Sequence, residues 1–318
     1  MRLPRASRGK RPTFSVLELC AGAGGQAVGF EAAGFAHVAL VDKDPHSCAT
    51  LRINRPYWNV IEADLNEFDT RNWHGVDVVA AGLPCPPFSI AGQQLGSEDD
   101  RDLFPALLRI VAETEPRAVI VENVRGLLTR RFEIYRSHII AELQKMGFFT
   151  HWQLLDAVHY GAPQNRRRSF LVALRTPNSF SWPSGKAEPV TVGEALGDMM
   201  GSNGWRNAGK WAKKANRPGP TLVGGSRKHG GPDLGPTRAR KQWAELGVDG
   251  LGIADSPPER DFEGMPRLTI PMTAKLQTFP DRWQFMGNKT QRYRQIGNAL
   301  PSVMAAAVAE QVAQCLAR

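Results

Sequence analysis

Phe14-Ser-Val-Leu-Glu-Leu-Cys-Ala-Gly-Ala-Gly-Gly25 is the stretch on which the fold turns. Phe14 to Leu19 is mostly apolar and suits a buried strand, and Cys20 to Gly25 follows as a tight turn. Gln26 to Ala33 then has helical character and stops at Gly34. Strand, glycine turn and helix together open a doubly wound sheet, where the turn lets backbone N–H groups approach a ligand at a helix N-terminus. A glycine turn on its own serves as readily to let strand and helix pack closely.

The alternation continues on both sides of the chain's first third. Val38 to Val41 reads as a strand ending in Asp42, and Pro45 to Asn54 as a helix begun by proline. Val60 to Ala63 closes on Asp64, and Val76 to Ala81 is a nearly all-apolar strand running into Gly82-Leu-Pro-Cys-Pro-Pro-Phe-Ser89. Leu103 to Ala112 is a helix, Ala118 to Val121 a strand ending at Glu122-Asn123, and Phe132 to Met146 a longer helix. Trp152 to Val158 and Phe170 to Leu174 complete the strands. Such a pattern predicts an α/β fold with a doubly wound, mainly parallel sheet. After Arg175 periodicity weakens, and order returns near Arg267 before a closing helix over Asn298 to Leu316. The expected organisation is a basic arm at 1–12, a main domain from 13–181 and 267–318, and a smaller irregular domain at 182–266.

Composition narrows the classes. No apolar run approaches the ~20 residues of a membrane helix, and the basic N-terminus lacks the apolar stretch of a secretory signal, so a cytoplasmic, monomeric protein is expected. The cysteines, Cys20, Cys48, Cys85 and Cys315, are scattered without metal-ligand spacing, which excludes a zinc site or disulfide framework. Cysteines so placed are ordinarily small buried hydrophobes. The net charge of +9 is concentrated: residues 205–241 carry ten lysines and arginines against Asp233 alone. Phosphate backbones are the natural partner of such a segment, although a solvated loop-rich surface has the same composition.

Ligands of an open parallel sheet bind beyond the carboxyl ends of its strands. Gly22, Gly24, Gly25, Asp42, Asp64, Cys85 and Glu122 all fall at such ends. An acid closing the second strand commonly grips ribose hydroxyls, although Asp42 and Asp64 taken singly are more often caps or surface acids. Prolines on both sides of Cys85 stiffen its loop and fix where the sulfur points. A thiol of pKa ~8.5 needs a partner that makes its target electrophilic. Protonated Glu122 would do so by donating to a ring nitrogen, with Asn123 holding the loop.

Leu17-Glu-Leu-Cys-Ala-Gly-Ala-Gly-Gly25, Pro84-Cys-Pro-Pro-Phe-Ser89 and Glu122-Asn-Val124 resemble the ordered motifs of the C5-cytosine-specific DNA methyltransferase family. So do Gln164-Asn-Arg-Arg-Arg168, Leu276-Gln-Thr-Phe-Pro280 and Arg294-Gln-Ile-Gly-Asn-Ala-Leu-Pro301. The resemblance runs in family order over nearly the whole chain. It implies an S-adenosylmethionine-dependent methyltransferase fold with a target-recognition domain in the insertion. The implied activity is methyl transfer from S-adenosyl-L-methionine to C5 of a cytosine flipped out of double-stranded DNA. The setting would be a restriction-modification system or a solitary bacterial or phage methylase.

By resemblance, Cys85 is the nucleophile that adds to C6, Glu122 contacts N3 and the exocyclic amine, Arg168 holds the base carbonyl, and Arg166 supports the site. The cofactor pocket takes Cys20, Ala21, Gly22, Gly24 and Gly25, with Asp42 and Lys43 at the ribose and Asp64 and Leu65 near the adenine. Gly82, Pro84, Leu103, Asn298, Ala299 and Leu300 complete it. DNA contacts fall to Ser89 and Arg101 in a mobile loop at 89–102, to Thr221 and Leu222, and to Arg227, Lys228 and Arg240. The chain departs from the family at Cys20, where phenylalanine usually stacks on adenine, and at Glu18, Pro86 and Met272. Two rival readings are a tRNA cytosine methyltransferase on the same fold and a non-catalytic nucleic-acid-binding protein. The long basic insertion with its Thr-Leu pair favours DNA.

Overall fold

The computed structural model describes residues 14–84, 102–177, 180–185, 187–224 and 232–318. Cys85, Ser89, Arg101, Arg227, Lys228 and the 1–12 arm lie outside the described residues. The chain divides into two compact units: a larger one from 2–155, 167–184 and 305–318, and a smaller one from 156–166 and 185–304.

The larger unit is built on a seven-stranded sheet of order β3-β2-β1-β4-β5-β7-β6. β1 (Phe14–Leu19), β2 (Phe35–Asp42), β3 (Val60–Glu62), β4 (Val78–Gly82) and β5 (Ala118–Val124) run parallel. β7 (Arg167–Leu174) is antiparallel to β5, and β6 (Phe149–Asp156) lies beyond it. Strands apolar on both faces need cover on both. α1 (Gly25–Ala32), α2 (Pro45–Asn54), α3 (Phe104–Thr114) and α4 (Glu133–Lys145) are the helices that the sheet's crossovers carry. Leu17, Leu19, Val79, Val121 and Leu171 pack with Phe104, Leu107, Ile110 and Ile139 in one core. Helix starts follow local chemistry: Asp44 caps α2 by accepting from the Ser47 N–H at 3.1 Å, with Pro45 in the first turn.

β1 and β2 slip register once, between Val16 and Leu17. Beside the slip Glu18 and His37 are buried together, Oε2 to Nε2 at 2.9 Å, and the His37 ring lies 4.9 Å from that of Trp58. Burial is the largest influence on Glu18 and raises its pKa, His37 working against it.

The smaller unit is more regular than its sequence suggests. α5 (Val192–Met200), α6 (Ala208–Lys214) and α7 (Thr237–Glu245) precede α8 (Ile270–Leu276) and α9 (Lys289–Asn298). Trp205 and Trp211, inside the basic segment, and Trp243, just beyond it, are core residues together with Leu196, Leu222, Leu268, Met272, Leu276 and Tyr293. That core draws in residues on both sides of 182–266, so 156–166 and 267–304 belong to this unit. One expectation is corrected here. Asn298 ends α9, Ala299 to Pro301 break the helix, and α10 (Ser302–Leu316) begins after them. An 18-residue window within Lys289–Leu316 is apolar enough for a membrane span by composition, but it is mostly buried inside the fold.

Candidate functional site

The glycine turn opens at the carboxyl end of β1. Cys20 (φ 51°), Gly22 (φ 54°) and Gly24 (φ 90°) all adopt left-handed backbone, and Gly24 caps α1. The Ala21 N–H donates to Val41 O at 3.0 Å and the Gly22 N–H to Asp42 Oδ2 at 2.7 Å. A Cβ built on Gly22 would meet no atom within 4 Å. Glycine is needed there for its φ, and the space in front of the turn is open.

Asp42 holds the turn from the end of β2. Its second oxygen accepts from the Asp44 N–H at 2.8 Å. Burial pushes its pKa up, and the two backbone N–H groups oppose that rise. Asp64 follows β3 in a more open position, held below the usual carboxylate range by the Asn66 N–H first and by Lys43, whose Nζ lies 3.6 Å away. Leu65 and Leu103 are buried in the sheet core nearby in the sequence of strand ends. Burial drives the Cys20 thiol strongly upward and Asp42 adds to the effect, so Cys20 is a neutral, partly covered group against the core. Cys48 and Cys315 are buried as ordinary core residues.

The neighbouring strand ends carry the acid and the arginine. Gly82 pairs with Glu122 across β4 and β5, and Val124 pairs with Arg168 across β5 and β7. Arg168 Nε donates to Glu122 Oε1 at 2.8 Å, both side chains being largely buried. Asn123 is buried, takes the Val124 N–H at 2.8 Å, and reaches Leu83 O at 3.5 Å, immediately before Pro84 and the Cys85 loop. The other end of that loop is fixed at Asp102, which accepts from the Tyr135 hydroxyl at 2.5 Å and the Phe104 N–H at 3.0 Å. The structure thus brings Glu122, Arg168, Asn123, Gly82 and the glycine turn to one sheet edge. Among the described residues no cluster of metal-ligating side chains exists.

Arg166, two residues before Arg168, has another job. It belongs to the smaller unit and is fully buried, donating from Nη1 to Leu222 O at 2.7 Å and from Nη2 to Gly297 O at 2.9 Å. Its N–H is held by Asp156 at 2.9 Å. A guanidinium so occupied is a clasp, not a group offered to a substrate. Gln164 and Gln277 extend the clasp. The Gln164 amide donates to Leu276 O and Gln277 Oε1, both at 2.8 Å, and accepts the Leu222 N–H at 3.2 Å. Gln277 donates to Ile296 O at 2.7 Å and Ala299 O at 3.2 Å. Sequence reading placed both glutamines in motifs without giving them a role; a glutamine in a motif that lacks titratable chemistry is the signal that could have found them.

Two motifs therefore meet the segment Gly219 to Gly224 directly, at 164–168 and 294–301, and a third joins them through Gln277. Leu222, expected at DNA, is wholly buried in the smaller unit's core. Thr221 remains half-exposed, its hydroxyl donating to Asn165 O at 2.6 Å. Arg240 is turned onto its own helix, 3.4 Å from Thr237 Oγ1, with its stem over Gly250. Asn298 and Ala299 lie in the smaller unit at the end of α9, Asn298 exposed and Leu300 buried.

A family model described as C-5 cytosine-specific DNA methylase matches residues 14–314. The chain is 49% identical to the Type II methyltransferase M.NgoMIV of Neisseria gonorrhoeae, over 95% of this chain and 98% of that one. It is 48% identical to the Type II methyltransferase M.NaeI of Lentzea aerocolonigenes, over 96% and 76%. The fold is similar to a crystal structure of a DNMT2 mutant from Spodoptera frugiperda, with TM-score 0.64 at 19% identity over 96% and 100% of the two chains. The chain belongs to the C-5 cytosine-specific DNA methylase family.

Proposed function

We propose that this chain methylates C5 of a flipped-out cytosine in a specific double-stranded DNA site, as the modification enzyme of a restriction-modification system. The observation that carries the proposal is the Glu122–Arg168 pair at 2.8 Å, set at the sheet edge beside Gly82 and the glycine turn. The Type II designation of its relatives supports the modification role.

The open space before Gly22 fits a cofactor with a polar tail and a ribose. S-adenosyl-L-methionine would be held by the turn from Cys20 to Gly25, by Asp42 and Lys43, and by Asp64 and Leu65, with Gly82, Pro84 and Leu103 proposed to complete the pocket. When bound, it supplies a methyl group on a sulfonium leaving group. With both oxygens of Asp42 already taking backbone N–H bonds, each keeps a lone pair for a ribose hydroxyl.

Cys85 forms the S–C6 bond, and the displaced ring electrons pass to C5, which bonds the methyl carbon. The C5 proton then leaves to a base, and elimination of the thiolate restores the aromatic ring. Glu122 stabilises the activated ring at N3 and the amine, and Arg168 serves twice, holding Glu122 in place and binding the base carbonyl. The target must leave the stack to reach this edge, at a cost of a few kcal/mol. Bisulfite sequencing of plasmid DNA from cells expressing the chain tests the whole reading. Protected cytosines at one site, lost on Cys85→Ala, are expected; no protected cytosine with the unaltered chain defeats it.

A further inference from the structure

One helix of the smaller unit presents an outward face that the reading above leaves unused. At about 100° per residue, Thr237, Arg238, Lys241, Gln242 and Glu245 of α7 fall within one arc of about 140°, and all five are exposed. The opposite side is anchored by the buried Trp243. The one acid of the exposed face, Glu245, is committed to Arg217 at 2.5 Å. Among the described residues Arg238 and Lys241 have no ion-pair partner, so the face is net positive.

This helix is fastened to the segment carrying Thr221 at two points. A Cβ on Gly219 would come within 2.6 Å of Trp243 Cη2, so the indole lies directly on that backbone. At the start of the helix, a Cβ on Gly235 would come within 2.8 Å of Val223 Cγ2 and 3.5 Å of Ala239 Cβ. The two fastenings bracket Pro220, Thr221 and Leu222. Thr221 and α7 are thus held together inside a single unit.

We propose that α7 is the base-reading helix of this protein, with Arg238 and Gln242 reaching base edges in the major groove and Lys241 on a phosphate. The inference rests on the reading of the chain as a DNA methyltransferase with Thr221 beside the target base. A major groove admits a helix, arginine pairs bidentately with guanine O6 and N7, and glutamine with adenine N6 and N7. Four residues of helix rise about 6 Å, close to two base-pair steps of about 3.4 Å each. Arg238 and Gln242 should therefore read positions about two steps apart, one a guanine and the other an adenine.

Methylation profiling on a plasmid library randomised around the target cytosine tests this with the full chain. Arg238→Ala should relax discrimination at one guanine position by roughly 5- to 150-fold, and Gln242→Ala at one adenine position about two steps away. Arg238→Lys should relax the same position as Arg238→Ala, since a point charge lacks the fork; a phosphate contact would instead be rescued. Lys241→Ala should lower methylation at all sites alike. All three side chains are exposed, and unchanged melting temperatures verify that the variants fold. Site preferences unchanged in both alanine variants, or a uniform loss in both, overturn the inference while the methyltransferase reading stands. Absence of any methylation by the unaltered chain defeats that reading and the inference with it.

Discussion

Gly297→Ala should damage the protein through one methyl group. A Cβ at this position would lie 2.6 Å from the N and Cα of Gly224 and from the carbonyl carbon of Val223. Carbon–carbon contact is comfortable at ~3.5 Å, so the 223–224 backbone must retreat by roughly 1 Å. Backbone cannot swing aside as a side-chain tip can. Its retreat would stretch the neighbouring bonds from Arg166 to Leu222 O and Gly297 O, at 2.7 and 2.9 Å. Overpacking of this kind costs about 1–3 kcal/mol, and weakening one charge-assisted bond adds about 1.5 kcal/mol or more. A loss of about 3 kcal/mol, or roughly 6–12 °C in melting temperature, is expected by calorimetry. Cofactor binding to the larger unit, measured by isothermal titration, should survive while site-specific methylation falls. An alanine variant that melts within a degree of the parent would refute the close approach on which this reasoning rests.

Gly22→Ala poses the opposite problem, since space is open but φ is 54°. The strain is about 1–2 kcal/mol, and titration calorimetry should show cofactor affinity falling by about tenfold; undiminished affinity would mean the turn is not used. Arg168→Lys keeps a charge but not the planar fork, so the methylation rate should fall by at least about 10²-fold in single-turnover assays, with cofactor affinity retained. Glu18 carries a raised folded-state pKa through burial. Its folded form holds a proton that the unfolded chain gives up at pH ~4.3, so the stability it contributes is full below that value and is lost as pH rises through the folded one. Urea melts of Glu18→Gln should gain on the parent as pH climbs from 4 to 8, and a trend in the other direction would exclude this account.

The parallel strands were legible because apolar runs of strand length alternate with helices, and the places of Glu122 and Asp42 at strand ends followed from the same alternation. Arg166 and Arg168 show the limit. The two are chemically identical and two residues apart, and only burial separates the clasp from the group beside Glu122. Leu222, expected at DNA, is buried in the core, because a motif marks a position without saying which way its side chain turns. The helices α6 and α7 escaped notice because lysines and arginines crowd them, and a single buried tryptophan in each, Trp211 and Trp243, replaces the usual apolar stripe. Asn298 was placed in the wrong helix because alanines run on past Pro301 without a break in composition.

The Arg166 grip has a mechanical meaning. Arg166 grips the backbone that carries Thr221, and Arg168 grips the acid of the catalytic edge, with only Arg167 between them. Arg166 holds two backbone segments at once, at Leu222 O and Gly297 O, so a substitution that loosens it frees the segment that carries Thr221 and should register in the choice of site.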